Sequence, residues 1–166
     1  MTKERILILD QERIQWKLQR MAYQIWEHNS HETEVTLIGI DGSGLAVAQN
    51  IAARLRDISP LQVHVLSLKM NKRKPLEQEV VINENLTGRS VVLVDDVANS
   101  GKTLLYALKP VLDFDAKRIM IAVLVDRKHK SYPVSPDIVG HSIATTVHEH
   151  IEVETNGEVI SAAYLQ

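Results

Sequence analysis

The chain has 166 residues, 45% hydrophobic and 24% charged, with 19 Lys and Arg against 21 Asp and Glu and no cysteine. A domain of this size buries about two-thirds of its unfolded surface without staples, and the lack of cysteine excludes a disulfide scaffold, a thiolate metal centre and a thiol nucleophile. A net charge of −2 and a pI near 6.4 argue against a protein built chiefly to neutralise nucleic-acid phosphates.

No targeting segment is expected, because Met1–Arg5 leads into only four apolar residues, Ile6–Leu9, too few for a signal core. No later run reaches membrane-spanning length, and cytoplasm is the expected location. Ile6–Leu9 reads as a short strand, with Asp10 as the N-cap of a helix. That helix carries Ile14, Leu18, Met21, Ala22 and Ile25 at helical spacing up to His28–Ser30. Trp16, Tyr23 and Trp26 lie along it, suited equally to a subunit interface or to packing within one chain. Val35–Ile40 is a β-branched strand, Asp41–Gly44 a turn, and Leu45–Leu55 a second amphipathic helix.

Leu61–Leu66 alternates like a strand, and Lys69–Pro75 is basic and aperiodic, the pattern of a mobile loop. A weak strand is expected at Val80–Ile82 and a turn at Thr87-Gly88. Val91–Val94 is a continuous apolar run, as in strands covered on both faces. It ends in Asp95-Asp96. Thr103–Leu112 reads as a helix, Ile119–Val125 as a buried strand and Asp126–Pro136 as a polar loop. His148-Glu149-His150 reads as a surface strand, its two imidazoles lacking a third metal ligand. Ile151–Glu154 and Val159–Ala163 flank an Asn156-Gly157 hairpin turn. The order predicts an α/β fold with an open, mostly parallel sheet flanked by helices, in one domain spanning 1–166.

Ligands of open α/β sheets sit beyond the carboxyl ends of the strands. Three strand ends carry polar loops here: Asp41–Gly44, Asp95–Thr103 and Asp126–Lys130. In the middle one, two acids are followed by a small, hydroxyl-rich loop at a helix start. Backbone N–H groups of Asn99–Thr103 can converge on a phosphate, helped by the helix dipole and the Ser100 and Thr103 hydroxyls. Adjacent carboxylates accept hydrogen bonds from a diol, hold Mg²⁺ through water and stabilise positive charge on a sugar ring. Two rival motifs fail on spacing: a Walker A loop needs Gly where Asp96 stands, and a dinucleotide fingerprint needs Gly or Ala where Val47 stands.

The segment Val91–Thr103 resembles the phosphoribosyl pyrophosphate (PRPP) signature of type I phosphoribosyltransferases. Val123–Arg127, with His129, Pro133 and Asp137–Gly140, is similar to the pyrimidine operon attenuator and uracil phosphoribosyltransferase (PyrR) family. So are Leu9-Asp10, Ile14, Leu18, Arg20, Ala22, Glu27 and Asn29 on the first helix. The resemblance implies a type I phosphoribosyltransferase fold with a small hood, a flexible loop and a C-terminal hairpin, assembled as a homodimer or higher homo-oligomer. It implies transfer of a phosphoribosyl group from PRPP to a nucleobase, uracil favoured, with Mg²⁺ as cofactor. Asp95 and Asp96 would be the catalytic and metal-binding acids, and Asn99, Ser100, Gly101, Lys102 and Thr103 would hold the 5′-phosphate. Asp41, Gly42, Ser43 and Gly44, with Lys72 and Arg73, would meet pyrophosphate, and Val125, Asp126 and Arg127 would flank the base.

Three departures stand out. The family's pyrophosphate loop is usually basic, whereas Asp41 brings a like charge worth ~1–4 kcal/mol at a few ångströms. Asn99 replaces an acid of the purine-specific relatives, and an amide cannot accept a proton from the base. On the RNA-binding surface of the attenuator branch Arg20 is present, but Gln19, Tyr23, Ser135 and His141 stand where partly basic residues are expected. The alternatives are a non-catalytic PRPP- or nucleotide-binding regulator, which could bind RNA, and a purine phosphoribosyltransferase.

Overall fold

The computed structural model describes residues 4–166. Its elements run β1 (Ile6–Leu9), α1 (Gln11–His28), β2 (Glu34–Ile40), α2 (Ser43–Ile58), β3 (Gln62–Leu68), β4 (Ser90–Ala98), α3 (Lys102–Val111), β5 (Arg118–Arg127), β6 (Ile138–Ile143), β7 (Ile151–Asn156) and β8 (Val159–Leu165). Strands β3-β2-β4-β5-β6 form a parallel sheet in that order. Alternate residues of the inner strands feed opposite faces. Leu37, Val92, Val94 and Leu124 pack with α1 and α2, while Ile38, Leu93, Ile121 and Val123 pack with Leu104, Ala107 and Val111 of α3. Covering on both faces accounts for the unbroken apolar runs of β2, β4 and β5.

Helix α1 starts where Asp10 Oδ1 accepts the Arg13 N–H at 2.8 Å and buries the predicted stripe Ile14, Leu18, Met21, Ala22 and Ile25. At its other end the buried Asn29 donates to the Ile25 carbonyl at 2.7 Å. Asn29 Oδ1 accepts from Ser90 at 2.6 Å and from Arg118 at 3.1 Å, tying the helix end to the feet of β4 and β5. Trp26 packs against the core, whereas Trp16 and Tyr23 are exposed.

Three expectations need correction or completion. Val80–Ile82 is not a strand; Val80 and Ile82 lean on the α3-side core while their backbone stays outside the sheet. His148-Glu149-His150 lies in and just after a turn rather than a strand. Strand β6 extends the parallel sheet beside β5 through residues whose polar Ser and His hide its character. The C-terminal hairpin β7-β8 forms as expected and recruits β1 into a three-stranded antiparallel sheet, order β1-β8-β7. This small sheet is the hood. No helix among the described residues is long and apolar enough to cross a membrane.

Candidate active site

The chain leaves β2 toward β3 on one side of the sheet and returns through β4 on the other. The crevice between the tips of β2 and β4 is therefore the topological switch point, where such sheets bind ligands. Gly42 caps α2 at the β2 tip with φ +87° and no side-chain hydrogen bond. Two residues on, a Cβ built on Gly44 would lie 2.7 Å from Asp95 Oδ1 and 3.2 Å from the Asp95 Cα. The first turn of α2 thus rests directly on the tip of β4, in a space only glycine fills. Asp41 is exposed.

Asp95 is 1% exposed. Its Oδ1 accepts the Asp96 N–H at 2.9 Å and the Lys72 ammonium at 3.3 Å. Burial, reinforced by the neighbouring Asp96 charge and opposed by Lys72, pushes its pKa well above the usual carboxylate range. Asp96 is half-buried, and its Oδ1 accepts the Val97 N–H at 2.8 Å. Lys72 reaches in from an irregular loop whose tip is shaped by Asn71: Oδ1 of Asn71 accepts the N–H groups of Arg73 and Lys74, both at 3.1 Å. Lys74 pairs instead with Glu77 at 2.8 Å.

No cluster of three or more metal-ligating side chains occurs among the described residues. Two adjacent carboxylates nevertheless suit Mg²⁺, which ordinarily takes one or two protein carboxylates and completes its octahedron with water and substrate phosphates.

Beyond β4, Gly101 turns the chain at φ +83°, and α3 begins at Lys102 without a side-chain cap hydrogen bond. The Ser100 carbonyl accepts the N–H groups of Ser131 and Tyr132 at 3.1 and 3.0 Å, so the loop after β5 is sewn onto this turn. Asn99 faces the hood, where its amide pairs with both backbone groups of Ile151.

These parts line an open cleft of about 510 Å³. Of the residues predicted from sequence, Ser43, Lys72, Arg73, Asp95, Asp96, Asn99, Ser100, Gly101 and Thr103 line it. Gly44 abuts Asp95, and Asp41, Gly42 and Lys102 are not part of the lining. Val125, Asp126 and Arg127 are not brought to this cavity: Val125 is fully buried, Asp126 is paired with Lys130 at 2.7 Å, and Arg127 donates to the Glu149 carbonyl at 3.1 Å. The wall that sequence reasoning missed is His150, Ile151, Glu152 and Val153 of the hood, with His150 Nε2 3.5 Å from the Asn99 amide nitrogen. The hairpin itself was legible, but no local signal says which end of the sheet it covers.

A phosphoribosyl transferase domain model matches residues 7–156. The chain is 31% identical to the bifunctional protein PyrR of Haemophilus ducreyi, over 90% of this chain and 89% of that protein. It is 32% identical to the PyrR of Bacillus cereus, over 92% and 91%. Among solved structures, a hypoxanthine-guanine phosphoribosyltransferase of Bacillus anthracis superposes with a TM-score of 0.74 at 19% identity, covering 95% of this chain and 96% of that one. The hypoxanthine phosphoribosyltransferase of Trypanosoma cruzi superposes at 0.73 and 16% identity, covering 83% and 76%. The family match runs without a break from β1 through the Asp95 tip to β7, and on that ground the chain belongs to the phosphoribosyl transferase family, in the branch of the PyrR proteins.

Proposed function

We propose that the protein, as one domain acting within a cytoplasmic homo-oligomer, transfers the phosphoribosyl group of PRPP to uracil and releases pyrophosphate. The observation that carries this reading is the opening of the Asp95-Asp96 tip and of Asn99, Ser100, Gly101 and Thr103 onto one cavity, which sets two carboxylates beside the turn that starts α3.

Asp95 and Asp96 accept hydrogen bonds from the ribose hydroxyls and stabilise the positive charge that develops on the ring as the bond from C1′ to pyrophosphate breaks. Backbone N–H groups of Asn99–Thr103, the hydroxyls of Ser100 and Thr103 and the start of α3 hold the 5′-phosphate. Asn99 contributes its backbone only, since its amide is engaged by Ile151. Lys72, Arg73 and the N–H groups at Gly42–Gly44 receive pyrophosphate. Asp41 is exposed, and solvent screening brings its repulsion toward the low end, ~1 kcal/mol. Asp95 and Asp96 would hold Mg²⁺, which when bound would supply charge neutralisation at pyrophosphate.

The base enters under His150–Val153. Val125, Asp126 and Arg127 serve it indirectly, because the Asp126–Lys130 pair and the Arg127–Glu149 contact hold the loop that packs on Gly101. Uracil is favoured over a purine because the relatives matched over most of their length are named PyrR. The neighbours named for hypoxanthine and guanine are under 25% identical and speak for the fold alone. The acidic Asp41 turn favours the second reading, a PRPP-binding regulator without turnover.

The test is incubation with PRPP, Mg²⁺ and uracil, orotate, hypoxanthine, guanine or xanthine in turn, with measurement of nucleotide product. Product with uracil is expected. Thermal stabilisation by PRPP without product from any base favours the regulator, and loss of both overturns the PRPP site itself.

A further inference from the structure

We infer that Lys72 is the resident counter-ion of Asp95 in the substrate-free site, and that it hands this carboxylate to the divalent cation and moves to pyrophosphate when PRPP binds. The second half rests on the phosphoribosyltransferase reading above; the first half does not.

The two partners differ in what holds them. The Asp95 side chain is 2% exposed, while that of Lys72 is 40% exposed. Asp95 is fixed by β4, by the Asp96 N–H and by the first turn of α2 pressed against its Oδ1. Lys72 sits on an irregular loop shaped by the Asn71 side chain. The one ion pair to Asp95 among the described residues is with Lys72, at 3.3 Å. The ammonium therefore does for the empty site what a divalent cation does for the filled one.

Both cannot stay. Asp95 Oδ1 is already shared between Lys72 and the Asp96 N–H, and a divalent ion at the same oxygen would face the ammonium at contact distance. Lys72, the wetter and more loosely held partner, is the one displaced. A lysine is a compact point charge on a flexible stem, well suited to phosphate. Pyrophosphate coordinated to the same cation offers it a new anion within reach. Two consequences follow from linkage. Lys72 weakens binding of the metal alone, and it strengthens the dependence of metal binding on PRPP.

The experiment counts Mn²⁺ bound to the full chain by electron paramagnetic resonance, first without and then with PRPP. Wild type is compared with Lys72→Met and Lys72→Arg. Without PRPP, Lys72→Met is expected to bind Mn²⁺ roughly 10-fold tighter than wild type, and Lys72→Arg to stay close to wild type. The gain in Mn²⁺ affinity caused by PRPP should shrink by a similar factor in Lys72→Met. In an Asp95→Asn background, Lys72→Met should no longer change Mn²⁺ affinity. Unchanged or weaker Mn²⁺ binding by Lys72→Met, with PRPP still bound, overturns this inference alone. Failure of wild type to bind PRPP at all overturns the reading beneath it and the hand-off together.

Discussion

Asn99 and Ile151 lock the floor of the cavity to its roof: the Asn99 amide donates to the Ile151 carbonyl at 3.0 Å, and its carbonyl accepts the Ile151 N–H at 3.1 Å. The side chain takes the place of a neighbouring strand for the first residue of β7. Few residue types offer a donor and an acceptor at this reach.

Replacing Asn99 should therefore act on the hood before it acts on chemistry. Asn99→Ala removes both bonds and leaves two backbone groups without them, a loss of about 1–3 kcal/mol in denaturant titrations. Asn99→Asp keeps an acceptor for the N–H but sets a carboxylate oxygen against the Ile151 carbonyl. Both variants should raise the KM for PRPP, and Asn99→Asp should not create a hypoxanthine- or guanine-using enzyme. Purine nucleotide formation by Asn99→Asp would refute this account of the residue.

The contact between α2 and β4 leads to a second expectation. Gly44→Ala would force a methyl group to 2.7 Å from Asp95 Oδ1, and overpacking of this kind costs about 1–3 kcal/mol. Thermal unfolding should show a lower midpoint that PRPP with Mg²⁺ no longer raises. Full retention of the PRPP-induced shift would mean that the two tips are not rigidly coupled.

Asp95 should leave its mark on the pH dependence of stability. Because its folded pKa is raised, the folded state holds a proton that the unfolded chain gives up near pH ~3.9. Its contribution is fully present below that pH and is lost as pH rises through the folded pKa. Asp95→Asn, which cannot ionise, escapes that loss. It should gain stability over the wild type as pH increases above about 4, while turnover falls by roughly 100-fold or more. Parallel stability curves for the two proteins across this range would contradict the assignment.

The Asp126–Lys130 pair is nearly dry, with side chains 14% and 11% exposed. Lys130→Met would strand the carboxylate, at a loss of about 3 kcal/mol, and would free the loop that packs on Gly101. Lys130→Met combined with Asp126→Asn should be more stable than Lys130→Met alone. A double-mutant cycle in denaturant measures the difference.

The sequence made the parallel sheet and its acidic tip legible because both depend on local pattern: unbroken apolar runs at Val35–Ile40, Val91–Val94 and Ile119–Val125, and small polar residues after Asp95-Asp96. What it hid depends on distant partners. Val80 and Ile82 bury their side chains against α3 without joining the sheet, which composition cannot distinguish from a strand. The pairing of Asp126 with Lys130 at 2.7 Å depends on the path of the loop after β5. His150 reads from the sequence as part of a surface strand. Its backbone pairs with Gln166, N–H to carbonyl in both directions at 2.8 and 2.9 Å, and this seats it over Asn99, a relationship spanning regions that share no sequence signal.

The hood also says something about how the molecule forms. Ile6 of β1 lies opposite Leu165 of β8, so this sheet joins the opposite ends of the described chain, and contacts of such separation are slow to close. The parallel sheet, with its nearer-neighbour crossovers, should be in place first. During synthesis the phosphate-type turn and the paired acids exist before the hood roofs them, because β7 and β8 follow β4 and α3 in the chain. A ligand that reaches the half-built cleft would meet a shallow groove, and only the arrival of β7 and β8 adds the wall of His150–Val153 that deepens it.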